Sequence, residues 1–286
     1  MASMRNIKRR RASIQSTGQI TKAMKLVSTV KLQKARGKAE SSKPYFELMY
    51  ETMSIMLRKS GVLDHKYLKA GNTQKKAVIV ITSNRGLAGG YNNNVVKLIT
   101  AVPELNPADT KIYAIGRKGR DSLTRKRYKI SADYSDVINQ PLYQDAADLT
   151  MELLDTFKRN EIGEIYLAYT SFKNTVVHIP RLIKLLPISV EGSGEEEPRL
   201  HSLMTFEPNE TAVLDAIIPK YMSSLIYGAL LEAVASENGA RMNAMDSATN
   251  NAEEMLEELE LQYNRARQGS ITQELTEIIA GANAIS

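Results

Sequence analysis

MNAMDSATNNAEEMLEELELQYNRARQGS, residues 242–270, places Met242, Met245, Thr249, Ala252, Leu256, Leu259, Tyr263, Ala266 and Ser270 at alternating steps of three and four. That spacing keeps one stripe of small and apolar side chains on a single helical face, the seam of a coiled coil. The helical pattern extends back to about Asn209, an N-cap candidate with Glu210 and Asp215 in the first turns, and forward to the last residue. At ~1.5 Å per residue such a helix is on the order of 110 Å long. Pro219 predicts a bend in it. A helix this long needs a partner for its stripe.

The start of the chain supplies one. Residues 3–59 carry helical period, with Ile7, Ile14, Ile20, Met24 and Val27 marking a narrow apolar side continued by Leu32, Ala35 and Ala39. Pro44 predicts a kink or a change of partner, after which Tyr45, Leu48, Met49, Thr52, Ile55 and Met56 resume the stripe. Charge points the same way. Although the net charge is +6, residues 1–43 hold twelve Lys or Arg and one acid, Glu40, whereas residues 242–286 hold eight acids and two arginines. Ends of opposite charge are expected to pair. The first helix is about 20 residues the shorter, so the last segment, roughly 267–286, should project beyond it.

Between the helices the grain changes. Short apolar, β-branched runs at 77–83, 111–115, 128–134 and 164–169 alternate with helical stretches at 94–102, 117–126 and 144–159, the last carrying Ala147, Met151, Leu154 and Phe157. This alternation predicts a mainly parallel sheet with helices on its faces. Residues 175–186 make a weak edge strand because of Pro180 and Pro187. Gly61, the GNTQ at 71–74 and the EGSGEEEP at 191–198 read as loops. The expected architecture is therefore α/β with long helices: an antiparallel coiled coil of the N- and C-terminal helices flanking a central Rossmann-like, mainly parallel α/β domain. Its boundaries are 1–60 for the first helix, 76–190 for the domain and 209–286 for the last helix.

Several chemistries lack their residues. The sequence contains no cysteine, which excludes disulfides and thiolate sites, and its three histidines, His65, His178 and His201, are too scattered for a metal cluster. The glycine-rich segment 84–92 follows the first strand, but neither G-x-G-x-x-G nor G-x-x-x-x-G-K-[ST] is present, and a tight strand–helix turn accounts for the glycines. Glu253, Glu254, Glu257 and Glu258 read as a solvated face beside the seam. Lys8, Arg9, Arg10 and Arg11 admit a nucleic-acid-binding alternative, though residues 1–43 offer no aromatic platform. No nucleophile–base pattern supports an enzyme, the other alternative being nucleotide-dependent chemistry in the α/β domain. No apolar run reaches the ~20 residues that span a bilayer, and the basic start lacks the apolar core of a secretory signal. A soluble protein on the cytoplasmic side is expected.

Four segments carry a resemblance. ITKAMKLVSTVKLQKA (20–35), TSNRGLAGGYN (82–92), LIYGALLEAVASENGARMNAMDSATNNA (225–252) and YNRARQGSITQELTEIIAGANA (263–284) resemble the gamma subunit of the F-type ATP synthase, closest to bacterial members. The resemblance implies a non-catalytic central rotor stalk that couples rotation of a proton-driven c-subunit ring to conformational change at catalytic beta subunits. It implies alpha and beta subunits of the head, the epsilon subunit and the c ring as partners, with no nucleic acid. Membrane contact would be made through the complex, peripherally on the cytoplasmic side of the cell membrane. No cofactor is expected on this chain, with ATP or ADP and Mg on partner subunits, and without a cysteine pair thiol regulation should be absent. By position, Met24 and Lys25 match the pair that meets an acidic lever of beta, and Arg267 and Gln268 the pair that reaches a catch loop. Ile271, Leu275, Ile278 and Ile279 match the apolar bearing of the head.

Overall fold

The computed structural model describes residues 4–59, 65–188, 207 and 209–285. The loops expected at Gly61 and at 191–198, and His201, lie outside the described residues. Two compact units emerge, one comprising Met1–Ser28 with Met242–Ser286 and the other Thr29–Arg241.

The larger unit is built on a five-stranded sheet. Its strands are β1 (Lys76–Ile81), β2 (Thr110–Ile115), β3 (Lys129–Asp133), β4 (Glu164–Phe172) and β5 (His178–Leu186). They lie in the order β3-β2-β1-β4-β5, parallel except for β5, which runs antiparallel to β4. The connecting helices are α2 (Tyr91–Thr100), α3 (Arg117–Arg125) and α4 (Tyr143–Lys158). Period-two alternation sorts the strand side chains between two cores. Val78, Val80, Ile112, Ala114, Tyr166 and Ala168 face a layer containing Val95, Val96, Ile99 and Leu123 of α2 and α3. Ala77, Ile79, Ile81, Tyr113, Ile115, Ile165 and Leu167 face the other layer, with Leu149, Leu153 and Leu154 of α4. Because β1 is covered on both sides it reads as an unbroken apolar run rather than an alternating one.

That second layer also contains the long helices. Helix α1 (Met4–Lys59) contributes Met53 and Met56, and α5 (Glu210–Ile285) contributes Leu214, Ile218, Met222, Ile226 and Leu230. Asn209 caps α5 as expected, its Oδ1 accepting the Ala212 amide at 2.8 Å. Both helices run unbroken through Pro44, where a kink or a change of partner is expected, and through Pro219, where a bend is expected. Pro180 sits in β5, which among the described residues has only β4 beside it, so the missing amide breaks no ladder on its outer side. Met151, expected on the packed face of α4, is instead exposed. The buried stripe runs through Ala146, Leu149, Leu153 and Phe157, and Met151 falls on the opposite side.

In the smaller unit, α1 up to Ser28 and α5 from Met242 lie antiparallel, as Arg11 meets Glu260, Thr21 meets Thr249 and Lys25 meets Asp246. The expected α5 stripe is the observed one. Met245, Thr249, Ala252 and Leu259 are buried, and Leu256, Tyr263, Ala266 and Ser270 half-buried. The α1 side differs from expectation. Ile7 is buried and Ile14 half-buried, but Ile20 and Val27 are exposed, and the seam passes through Gly18, Thr21 and Ser28. Small residues win because the helices come close: a Cβ placed on Gly18 would lie 3.4 Å from that of Ala252. One residue along a helix is ~100° around it, so choosing Thr21 and Ser28 turns Ile20 and Val27 away.

Candidate functional site

The sequence-predicted site residues fall into two patches of the smaller unit. Met24 and Lys25 are half-buried beside the seam, near its buried polar contact. There the Thr21 and Thr249 hydroxyls share a hydrogen bond of 2.9 Å, while the Lys25 ammonium reaches Asp246 at 2.5 Å. Both members of that ion pair keep over a third of their side-chain surface, so water screens much of the attraction. The pair supplies orientation more than stability. Arg11 and Glu260, 2.7 Å apart and equally exposed, repeat the arrangement nearer the start of the chain. The opposite charges of the two chain ends thus meet directly.

The second patch lies farther along α5. Arg267 and Gln268 are exposed, and every residue from 271 to 283 is exposed as well. Ile271, Leu275, Ile278 and Ile279, at 49%, 55%, 68% and 60% exposure, recur at steps of three and four and form one apolar stripe. Bonds within the helix, from Gln273 to Glu277 and from the Thr276 hydroxyl to the Thr272 carbonyl, hold its turns. From Asp246 to Arg267 is roughly 30 Å along the helix axis, so the two patches cannot serve one small ligand. They suit a large partner, or several, arranged along a shaft.

The glycine-rich turn after β1 belongs to the larger unit, and its polar groups are engaged by its own neighbours. Asn84 donates to the Ser135 carbonyl at 2.7 Å and accepts the Arg117 amide at 3.0 Å. Asn92 accepts the Ser83 amide at 2.9 Å. The glycines β2 leads into serve close packing. Gly116 has φ 112°, and a Cβ there would lie 2.1 Å from the Thr82 carbonyl oxygen; one on Gly119 would lie 2.6 Å from the Thr82 hydroxyl, which accepts the Gly119 amide. Strand order reverses between β1 and β4, the position where open α/β sheets ordinarily take ligands. Helix α5 fills it. The Tyr91 hydroxyl donates to the Ala233 carbonyl at 3.2 Å, Ser236 to the Thr170 carbonyl at 3.1 Å, and Arg241 to the Gly86 carbonyl at 3.4 Å. Burial drives the Tyr91 phenol pKa well above its ordinary value, reinforced by Glu237 and opposed by Arg241. These residues were not singled out by sequence reasoning, although Tyr91 and the stretch from Ala233 to Arg241 lie in two of the segments that carried the resemblance. Among the described residues no group of His, Asp and Glu has the arrangement of a metal site.

The whole chain can be placed by its relatives. A family model described as ATP synthase matches residues 3–285. The ATP synthase gamma chain of Lachnoclostridium phytofermentans is 63% identical over 292 residues, covering all of both chains. That of Alkaliphilus metalliredigens is 44% identical, covering 99% of this chain and 98% of the relative. Among solved structures, a chain of the Euglena gracilis mitochondrial ATP synthase superposes with a TM-score of 0.70 over 99% of this chain and 94% of its own, at 20% identity, and so shares the fold. A family model that spans nearly the whole chain and a relative 63% identical over its full length together show that this chain belongs to the ATP synthase gamma-chain family.

Proposed function

We propose that the chain is the central rotor stalk of an F-type ATP synthase and performs no catalysis itself. The observation that carries this reading is the end of α5, where an apolar stripe of Ile271, Leu275, Ile278 and Ile279 stands in solvent. Apolar side chains at such exposure gain by burial in a partner, and a sleeve without directional hydrogen bonds suits a surface that must turn. The tip would sit in the bearing formed by alternating alpha and beta subunits, with Arg267 and Gln268 at a catch loop. Met24 and Lys25 would face an acidic segment of beta. The α/β domain would meet the epsilon subunit and the c-subunit ring, whose proton-driven rotation the stalk carries to the three catalytic sites. Nucleotide and Mg belong on those partner subunits, and no cofactor on this chain. No helix among the described residues is long and apolar enough to cross a membrane. Peripheral attachment through the complex, on the cytoplasmic side of the cell membrane, fits that.

Affinity capture of the tagged chain from native membranes tests the reading. Recovery of alpha, beta and epsilon subunits with MgATP hydrolysis in the eluate is the expected result. Recovery with nucleic acid, or alone, would overturn it; the relatives lend no support to the nucleic-acid alternative.

A further inference from the structure

We infer that the carboxyl edge of the sheet is a torque socket, in which Tyr91, Ser236, Glu237 and Arg241 are positioning residues that fix the rotational angle of α5 against the α/β domain. This rests on the rotor reading above. The crevice at this edge has an unusual occupant. Strand order reverses between β1 and β4, and what lies there is a ten-residue stretch of α5, residues 232–241.

Two adjacent stripes of that stretch are held by two different parts of the sheet edge. Residues 232, 236 and 239 form one stripe. The Glu232 carboxylate accepts the Phe172 amide at 3.3 Å, and the Ser236 hydroxyl donates to Thr170. Gly239 lies so near His178 that a Cβ would be 2.7 Å from Nε2. All three contacts belong to the end of the β4–β5 hairpin. Residues 233, 237 and 241 form the other stripe. Tyr91 binds the Ala233 carbonyl, and Arg241 joins Glu237 at 2.7 Å and the Gly86 carbonyl at 3.4 Å. Those contacts belong to the turn after β1. Stripes one residue apart lie ~100° apart around a helix, so twisting α5 in either sense strains one set of contacts.

The chemistry suits this task. Apolar packing of Leu214 to Ala233 holds α5 against the sheet, but the hydrophobic effect is non-directional. Hydrogen bonds are directional and weaken steeply when bent. The Glu237–Arg241 pair is nearly dry, at 13% and 12% side-chain exposure, so solvent screens it far less than the ion pairs of the coil. Arg241 ends the stretch, so its contacts to Glu237 and the Gly86 carbonyl grip the last turn of the socket.

The test uses the assembled complex. The sequence has no cysteine, so a single Lys126→Cys at an exposed position of the α/β domain can carry a bead while the catalytic head is surface-held in a nucleotide-arrested dwell. Angular fluctuation of the bead reports torsional stiffness between domain and shaft. Tyr91→Phe combined with Ser236→Ala and Arg241→Gln should widen the fluctuations and lower ATP-driven proton uptake per ATP hydrolysed, while hydrolysis by the head persists. Should the triple variant not assemble, Ser236→Ala alone removes one hydroxyl and is read in the same way. Fluctuations and coupling equal to the unaltered complex overturn the socket and leave the rotor reading standing. An unaltered chain that enters no such complex overturns both.

Discussion

The Lys25 ammonium lies 2.5 Å from the Asp246 carboxylate across the paired helices, although Lys25 is also the residue expected to face an acidic segment of a neighbouring subunit. An exposed pair of this kind contributes about 0–1 kcal/mol. Its internal partner therefore anchors the side chain and leaves the exposed basic side chains of Lys22 and Lys31 as they are.

Replacing Lys22, Lys25 and Lys31 together with Gln should leave thermal unfolding of the chain almost unchanged. The effect should fall on the complex, as weaker assembly, lower torque and a flatter dependence on salt. Unchanged assembly, torque and salt response would remove any role for these charges at the interface.

The seam offers a covalent check of its own register. A Cβ at Gly18 would stand 3.4 Å from the Ala252 Cβ, close to the ~3.5–4.5 Å of a disulfide. Gly18→Cys with Ala252→Cys should cross-link on mild oxidation, seen as faster migration on a non-reducing gel, with no other thiol to compete. Gly18→Cys with Leu259→Cys, ~10 Å along the helix, should not. Cross-linking of the second pair in preference to the first would mean a different register.

Deleting the residues after Arg267 should weaken assembly before it stops rotation. Ile278→Ser with Ile279→Ser should do the same more mildly and leave unfolding of the free chain unaffected, since both side chains stand in solvent. Normal complex stability after the deletion would show that the tip anchors nothing.

His178 should make the α/β unit acid-sensitive. Burial lowers its pKa below the ordinary histidine value, and its Nε2 has no hydrogen-bond partner among the described residues. The unfolded chain then takes up the proton first as pH falls. The stability conferred by the neutral ring is therefore present above about pH 6.5 and is lost as pH drops towards the folded value. Denaturant midpoints between pH 7 and pH 5 should slope less steeply in His178→Leu than in the unaltered chain. Equal slopes would assign the acid sensitivity to other groups.

Much of the fold is local and was readable for that reason. Met245, Thr249, Ala252, Leu256 and Leu259 share a face through helical geometry alone, whatever lies opposite. The parallel sheet follows from apolar β-branched runs alternating with amphipathic stretches, as at Lys76–Ile81 and Tyr143–Lys158. The exposed stripe of the tip follows from counting residues beyond the shorter helix.

Which side of α1 meets α5 depended on contact. Hydrophobicity favoured Ile20 and Val27, but the tertiary structure chose Gly18, Thr21 and Ser28 because close backbone approach to Ala252 rewards small side chains over large ones. The socket was likewise invisible along the chain. Gly86, Tyr91, Thr170 and Arg241 have no shared period, and only the crossing of α5 over the reversal point between β1 and β4 brings them together. Sequence alone determined the elements and the packed stripe of α5, since backbone periodicity sets these. Tertiary structure decided which faces meet, since that choice rests on shape and hydrogen-bond partners distant in the chain.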